Sequence, residues 1–150
     1  MPRSKTLIAI LALLAASDGA RAQTTASNVI DVEVRGLRNA HGTVDCYLYA
    51  SAEGFPGDQS KASKRVASPI SGAAATCRFS GVAPGAYAVA VVHDEHRTGR
   101  LERNLMGIPT EGVGASNDAA GHFGPPSFAS ARFAYAGGEK SLVVHVRYLL

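Results

Sequence analysis

Tryptophan is absent from this 150-residue chain, which removes the broadest aromatic face for stacking on sugar rings. There are only two cysteines, Cys46 and Cys77, and no C-x-x-C spacing, which argues against a redox dithiol or a thiolate metal cluster. No G-x-S-x-G surrounds a serine: Ser116 lies in Gly114-Ala115-Ser116-Asn117, so the strained turn that presents a nucleophilic serine is missing. No phosphate-cradling glycine motif occurs. Helical 3.6-residue periodicity is largely lacking. The apolar run Thr6–Ala16 covers 11 positions, too few for a helix to cross a bilayer, which takes roughly 20.

That run does fit an export signal. Arg3 and Lys5 precede it, and Ala20-Arg21-Ala22 follows with small residues at alternate positions, the pattern a signal peptidase cuts. Residues 1–22 therefore read as a cleavable signal cut after Ala22, and residues 23–150 as one soluble, periplasmic or secreted domain. No cysteine near the cut offers a lipid attachment point. The full chain has 15 Lys and Arg against 12 Asp and Glu. Removing Arg3, Lys5, Arg21 and Asp18 leaves 12 minus 11, or +1, with no basic stripe, so nucleic acid is not expected as a partner. In an oxidising compartment Cys46 and Cys77 are expected to pair. The loop of about 30 residues that they close contributes about 3–4 kcal/mol in the chain-entropy model. The competing reading is two small core residues that never meet.

What the chain does carry is period-two alternation. Ile30, Val32 and Val34 alternate with Asp31, Glu33 and Arg35. Val44, Cys46 and Leu48 form an inward set opposite Asp45, Tyr47 and Tyr49. Ala75, Cys77 and Phe79 repeat the inward phase, which puts both cysteines on the buried side of their strands. Gly81–Gly85 is a turn built on Pro84 and Gly85. Ala86–His93 is apolar on both faces, as in a central strand. The Ser51–Ser71 stretch is ambiguous and has room for one edge strand, with Lys61, Lys64 and Arg65 as charges that discourage edge pairing. Arg132–Tyr135 and Lys140–Tyr148 flank Ala136-Gly137-Gly138-Glu139, which reads as a hairpin turn. The fold class is all-β: an immunoglobulin-like or transthyretin-like β-sandwich of about seven antiparallel strands with one long Gly/Pro-rich loop. A closed eight-stranded barrel is the alternative.

The loop is the stretch 94–130, which has 37 residues, six glycines and three prolines and no sustained periodicity. Connections of that length are usually functional. With the strand end before it, it holds the possible binding residues His93, Asp94, Glu95, His96, Glu102, Asn104, Glu111 and His122. The bland alternative is an ordered cover whose aromatics pack over one end of the sheets.

Several segments carry a resemblance. They are Gly36-Leu37-Arg38-Asn39, Leu48–Pro56, Pro84–Val89, His93-Asp94-Glu95, Asn104–Pro109, Glu111–Gly114 and Phe123–Phe128. Together they resemble the exported bacterial proteins grouped as domain of unknown function 2141, over nearly all of the chain after residue 22. The resemblance implies a single exported all-β domain and no established activity. In that family the residues after the His-Asp pair commonly read like a calcium loop, with oxygen donors at alternate positions and then glycine. Here Asp94 and Gly99 are in place, but His96 and Thr98 lie between them, the later carboxylate is Glu102, and Leu105 stands where a bidentate glutamate would be. Imidazole suits calcium poorly, so the segment reads as a β-turn.

His93, His96 and Asp94 invite a transition-metal reading, with Asp94 and His96 as the candidate ligands. Their spacing does not bring both rings to one face. Asp94, Glu95, Glu102 and Glu111 share one loop, so a carboxylate- or His-dependent hydrolase is a further alternative. Tyr47 and Tyr49 read as cross-strand packing residues, with a sugar platform as the other use of that face. The leading expectation names no catalytic residue and no cofactor: an exported binding or envelope-associated module acting through 94–130 on a protein, glycan or envelope ligand.

Overall fold

The structure, a computed structural model, describes residues 27–150. The expected signal segment and its cut after Ala22 lie outside the described residues. Eight strands run through them: β1 Val29–Arg35, β2 Thr43–Tyr49, β3 Lys64–Ser68, β4 Ala74–Ser80, β5 Gly85–Asp94, β6 Gly112–Ala115, β7 Phe133–Tyr135 and β8 Glu139–His145. A single helical turn, α1 Phe128–Ala131, precedes β7.

The strands form two sheets. One has the order β4-β1-β8; the other has β3-β2-β5-β6, with β7 pairing the start of β5. The alternation explains the core between them. Ile30, Val32, Val34, Cys77, Phe79 and Val144 of the first sheet pack in one buried cluster with Val44, Cys46, Leu48, Val89 and Val91 of the second. A disulfide joins Cys46 on β2 to Cys77 on β4, with their Cα atoms 6.3 Å apart, so it links one sheet to the other. Such bonds persist in oxidising compartments. No helix among the described residues is long and apolar enough to cross a membrane.

Three expectations need correction, and the barrel alternative is set aside. Two separate sheets replace the barrel, because β4 and β8 end one strand path and β3 and β6 the other. The strands are not all antiparallel: β1 pairs β8 in parallel, with Val32 opposite Leu142. The segments around Gly137-Gly138 are not a hairpin, since β7 pairs β5 while β8 pairs β1. Alternation fixes which face a residue takes but not its partner strand. Here the turn is drawn to the start of β1, where the Gly138 amide donates to Asn28 Oδ1 (3.0 Å) and its carbonyl accepts from the Val29 amide (2.8 Å). Finally, 94–130 is not one irregular loop, for it contains β6 and α1.

β6 was hidden by its glycines. A Cβ on Gly112 would sit 2.4 Å from Val146 Cγ1 and 2.6 Å from Tyr148 Cε1, and one on Gly114 would sit 2.8 Å from Val144 Cγ1. The missing side chains let β6 pass directly against the C-terminal segment. There the Val113 amide donates to the Arg147 carbonyl (2.9 Å), and the Arg147 amide returns the bond (2.8 Å). Among the described residues Val113 and Arg147 are the single bridged pair between these two segments.

Two outcomes are expected. The Cys46→Ala/Cys77→Ala double variant loses about 3–4 kcal/mol in urea denaturation, because the cross-link encloses a loop of about 30 residues. Gly112→Ala overpacks against Val146 and Tyr148 and costs about 1–3 kcal/mol in the same measurement.

Candidate functional site

The polar residues foreseen in 94–130 divide into three groups. The first is structural and surrounds His93, which is fully buried. Its Nε2 lies 2.8 Å from the His41 carbonyl, which only accepts, so Nε2 carries the proton. Nδ1 lies 2.7 Å from the Tyr148 hydroxyl and in the neutral ring accepts from it, and that oxygen accepts from the Arg38 amide at 3.0 Å. Glu95 lies alongside. Arg38 donates to it through Nε and an Nη (2.8 and 2.6 Å), and Asn39 Nδ2 adds a third bond at 2.6 Å. The Arg38 guanidinium also stacks 4.5 Å above the Tyr148 ring. The Arg38 bonds, with help from Asn39, hold the Glu95 carboxyl down at about 2 in spite of desolvation.

Asp94 belongs with this group. Its two oxygens accept from the Thr98 amide (2.9 Å) and the Gly99 amide (2.6 Å), closing a tight turn in which Arg97 and Gly99 have positive φ. Both carboxylate oxygens thus hold backbone donors, as the β-turn reading requires. Asn104 closes a later turn in the same manner: its Oδ1 accepts from the Met106 and Ile108 amides (2.9 and 3.0 Å). That turn leaves Leu105 and Met106 fully exposed at its tip.

The second group brings together His96, Glu102 and Glu111. One donor atom from each lies within 4.8 Å of the others. Glu111, only 1 % exposed, accepts from the Glu95 amide on one oxygen (3.1 Å) and the Glu102 amide on the other (3.2 Å). His96 Nδ1 is 2.9 Å from Glu102 Oε2 and 3.9 Å from Glu111 Oε1. Desolvation raises the Glu111 carboxyl above its ordinary value, and the nearby charges of Asp94 and Glu102 add to that. Of the two metal candidates read from sequence, His96 enters this group and Asp94 does not.

The third feature is a groove of about 590 Å³ over the outer face of β5 and β6. Ala90, Val92, Val113 and Ala115 form much of its floor, with Leu101 and Ile108 on one wall and Ala119–Pro126 on the other. Its second wall is anchored by Asn117 and Asp118, both at positive φ. Asn117 Nδ2 donates to the Ser130 and Arg132 carbonyls, and Asp118 binds the amide and ring of His145. Ser116 is consumed inside, accepting from the Val89 amide and donating to the Ala131 carbonyl. His122 and Phe123 stand exposed at the groove lip. Arg103 and Arg147 line it too; neither forms a salt bridge among the described residues, although the charge of Arg147 helps to lower the carboxyl of Asp118, which also lines the groove.

With Tyr47 and Tyr49 fully buried beneath Phe55, Leu101 and Phe128, the sugar-platform use of that strand face is ruled out. Sequence reasoning missed Arg38 and Tyr148 as partners of Glu95 and His93, and missed Arg147 as a groove residue. The signal for the groove was the run Gly112-Val113-Gly114-Ala115, whose small residues leave a shallow floor.

The profile of a bacterial family described as uncharacterized protein conserved in bacteria, DUF2141, matches residues 32–143. This chain belongs to that family. In agreement with the resemblance carried by the sequence motifs, the match runs from β1 into β8 and takes in His93, Asp94, Glu95, His96, Glu102 and Glu111, while Tyr148 and the groove residues His145 and Arg147 lie beyond it. No curated protein matches the chain, and no solved structure does.

The Arg38–Glu95 pair makes stability depend on acid. Glu95 has a lowered folded pKa, so its contribution is complete above its ordinary value of 4.5 and is lost as the pH falls toward about 2. Denaturation midpoints measured from pH 6 to 2 are expected to fall across that window in the native protein and to fall less in Glu95→Gln.

Proposed function

We propose that this family member is an exported, non-catalytic binding module that uses the groove walled by the 94–130 stretch to hold a small amphipathic molecule with one anionic group. The observation that carries the reading is the combination of an apolar floor with two arginines at its edge that form no salt bridge among the described residues. A concave, mainly apolar cavity with a few placed polar groups is the usual form of a small-molecule site, and its volume falls within the range of such sites. Arg103 and Arg147 supply the charge complement for a carboxylate or a sulfate head, while Leu101, Ile108 and Phe123 suit an alkyl chain. In this reading residues 1–22 direct export and are cut after Ala22, and residues 23–150 form one immunoglobulin-like sandwich acting in the periplasm or outside the cell. The disulfide supports such a compartment.

Two of the four carboxylates named for the hydrolase alternative do not favour it, because Glu95 is neutralised by Arg38 and Asp94 is occupied by its own turn. Titration with laurate, followed by displacement of a fluorescent fatty-acid analogue, tests the binding reading. Saturable binding at one site is expected. Ala120→Trp, which fills the groove from its exposed wall, and Arg147→Glu, which reverses the charge, are each expected to weaken it by about tenfold or more, near 1.4 kcal/mol. Binding that is absent in the native protein, or unchanged in both variants, overturns the assignment.

A further inference from the structure

We infer that His96, Glu102 and Glu111 form a binding site for a single transition-metal ion of the Zn²⁺ class. The site is separate from the groove and does not depend on what the groove holds. Its three ligands come from three places in the chain: the turn after β5, the segment that follows it, and the residue before β6. Donors around an ion at ordinary Zn–N and Zn–O distances stand about 3–3.5 Å apart. His96 Nδ1 is 2.9 Å from Glu102 Oε2 and 3.9 Å from Glu111 Oε1, so small movements of His96 and Glu102 admit the ion. Those are the two residues with freedom to move, with side chains 67 % and 37 % exposed.

Glu111 is the fixed ligand. Each of its oxygens takes one backbone amide, which orients the carboxylate and leaves a lone pair on each oxygen for another partner. A second observation points the same way. Glu111 is a buried carboxylate with no Lys or Arg in salt-bridge range among the described residues; Asp94 and Glu102 crowd it with negative charge, and Arg38 acts on it only from beyond that range while bound to Glu95. Glu95, by contrast, has the Arg38 guanidinium as a direct partner. Burying a carboxylate without a cation is costly, and a divalent ion bound between Glu111, Glu102 and His96 supplies the missing charge.

The imidazole selects the class of ion. Calcium and magnesium take oxygen donors, whereas one nitrogen with two carboxylates suits Zn²⁺, Co²⁺ or Cu²⁺. Three protein ligands, two of them exposed, leave a coordination position open to water.

The test is calorimetric titration of the purified, chelator-treated protein with Zn²⁺, with Co²⁺ absorption as a report on a nitrogen-containing site. One equivalent of Zn²⁺ is expected to bind and to raise the melting temperature. His96→Ala and Glu102→Gln are expected to weaken binding by more than about 100-fold, beyond what loss of an outer-shell contact causes. Both side chains are substantially exposed, so the metal-free melting temperatures of these variants should stay close to that of the native protein. His122→Ala, which changes a histidine outside the cluster, should bind as the native protein does. Lack of saturable 1:1 binding overturns the inference. So does Zn²⁺ binding that survives His96→Ala, or a Ca²⁺ response that exceeds that of Zn²⁺.

Discussion

The close passage of β6 against the C-terminal segment governs the functional end of this molecule, and it depends on residues 112 and 114 having no side chain. With hydrogen in place of a methyl group at Gly112, Val146 and Tyr148 lie directly on the strand. Tyr148 is then placed to bond His93 and to carry the Arg38 guanidinium on its ring. Arg38 in turn fixes Glu95, whose amide holds Glu111. The same strand provides some of the groove floor. One steric allowance thus bears on the buried histidine, the ion pair and the orientation of the buried carboxylate.

Four carboxylates within 18 residues of each other meet four different electrostatic environments. Asp94 is stabilised by amides of its own turn, Glu95 by a guanidinium, Glu102 by an exposed imidazole, and Glu111 by two amides without a cation. Residue type says nothing of these differences, yet they separate structural acids from those open to a ligand. Asp94 and His96 sit two residues apart in sequence. Folding commits one to a turn and releases the other.

The regions of the fold legible in the sequence were those where a half-buried face imposes alternation. Strands β1, β2 and β4 showed it, with both cysteines in the inward phase. The two-sided apolar run of β5 marked the strand that pairs with β2, β6 and β7. Lys64 and Arg65 marked the edge strand β3. Strand β6 was not legible, because glycine signals turns by propensity while here it serves a close approach between sheets. The partners of β7 and β8 were not legible either, since a Gly-Gly pair permits a hairpin and a change of sheet equally well. For the site, the residue types and the stretch were visible, but the pairings of Arg38, Tyr148 and Arg147 join positions that lie up to 110 residues apart, a distance that a single sequence does not encode locally.

The parallel pairing of β1 with β8 has a bearing on how the chain is made. The first of the eight strands sits between β4 and the eighth, so a nascent polypeptide emerging in order from its N-terminus must wait for all the intervening strands before that ladder closes. Until then one side of β1 remains open, and contacts of such sequence separation form slowly. A translation product that stops short of β8 therefore presents an unpaired strand to its surroundings, which makes synthesis of β8 the step that decides between a finished molecule and an aggregation-prone one.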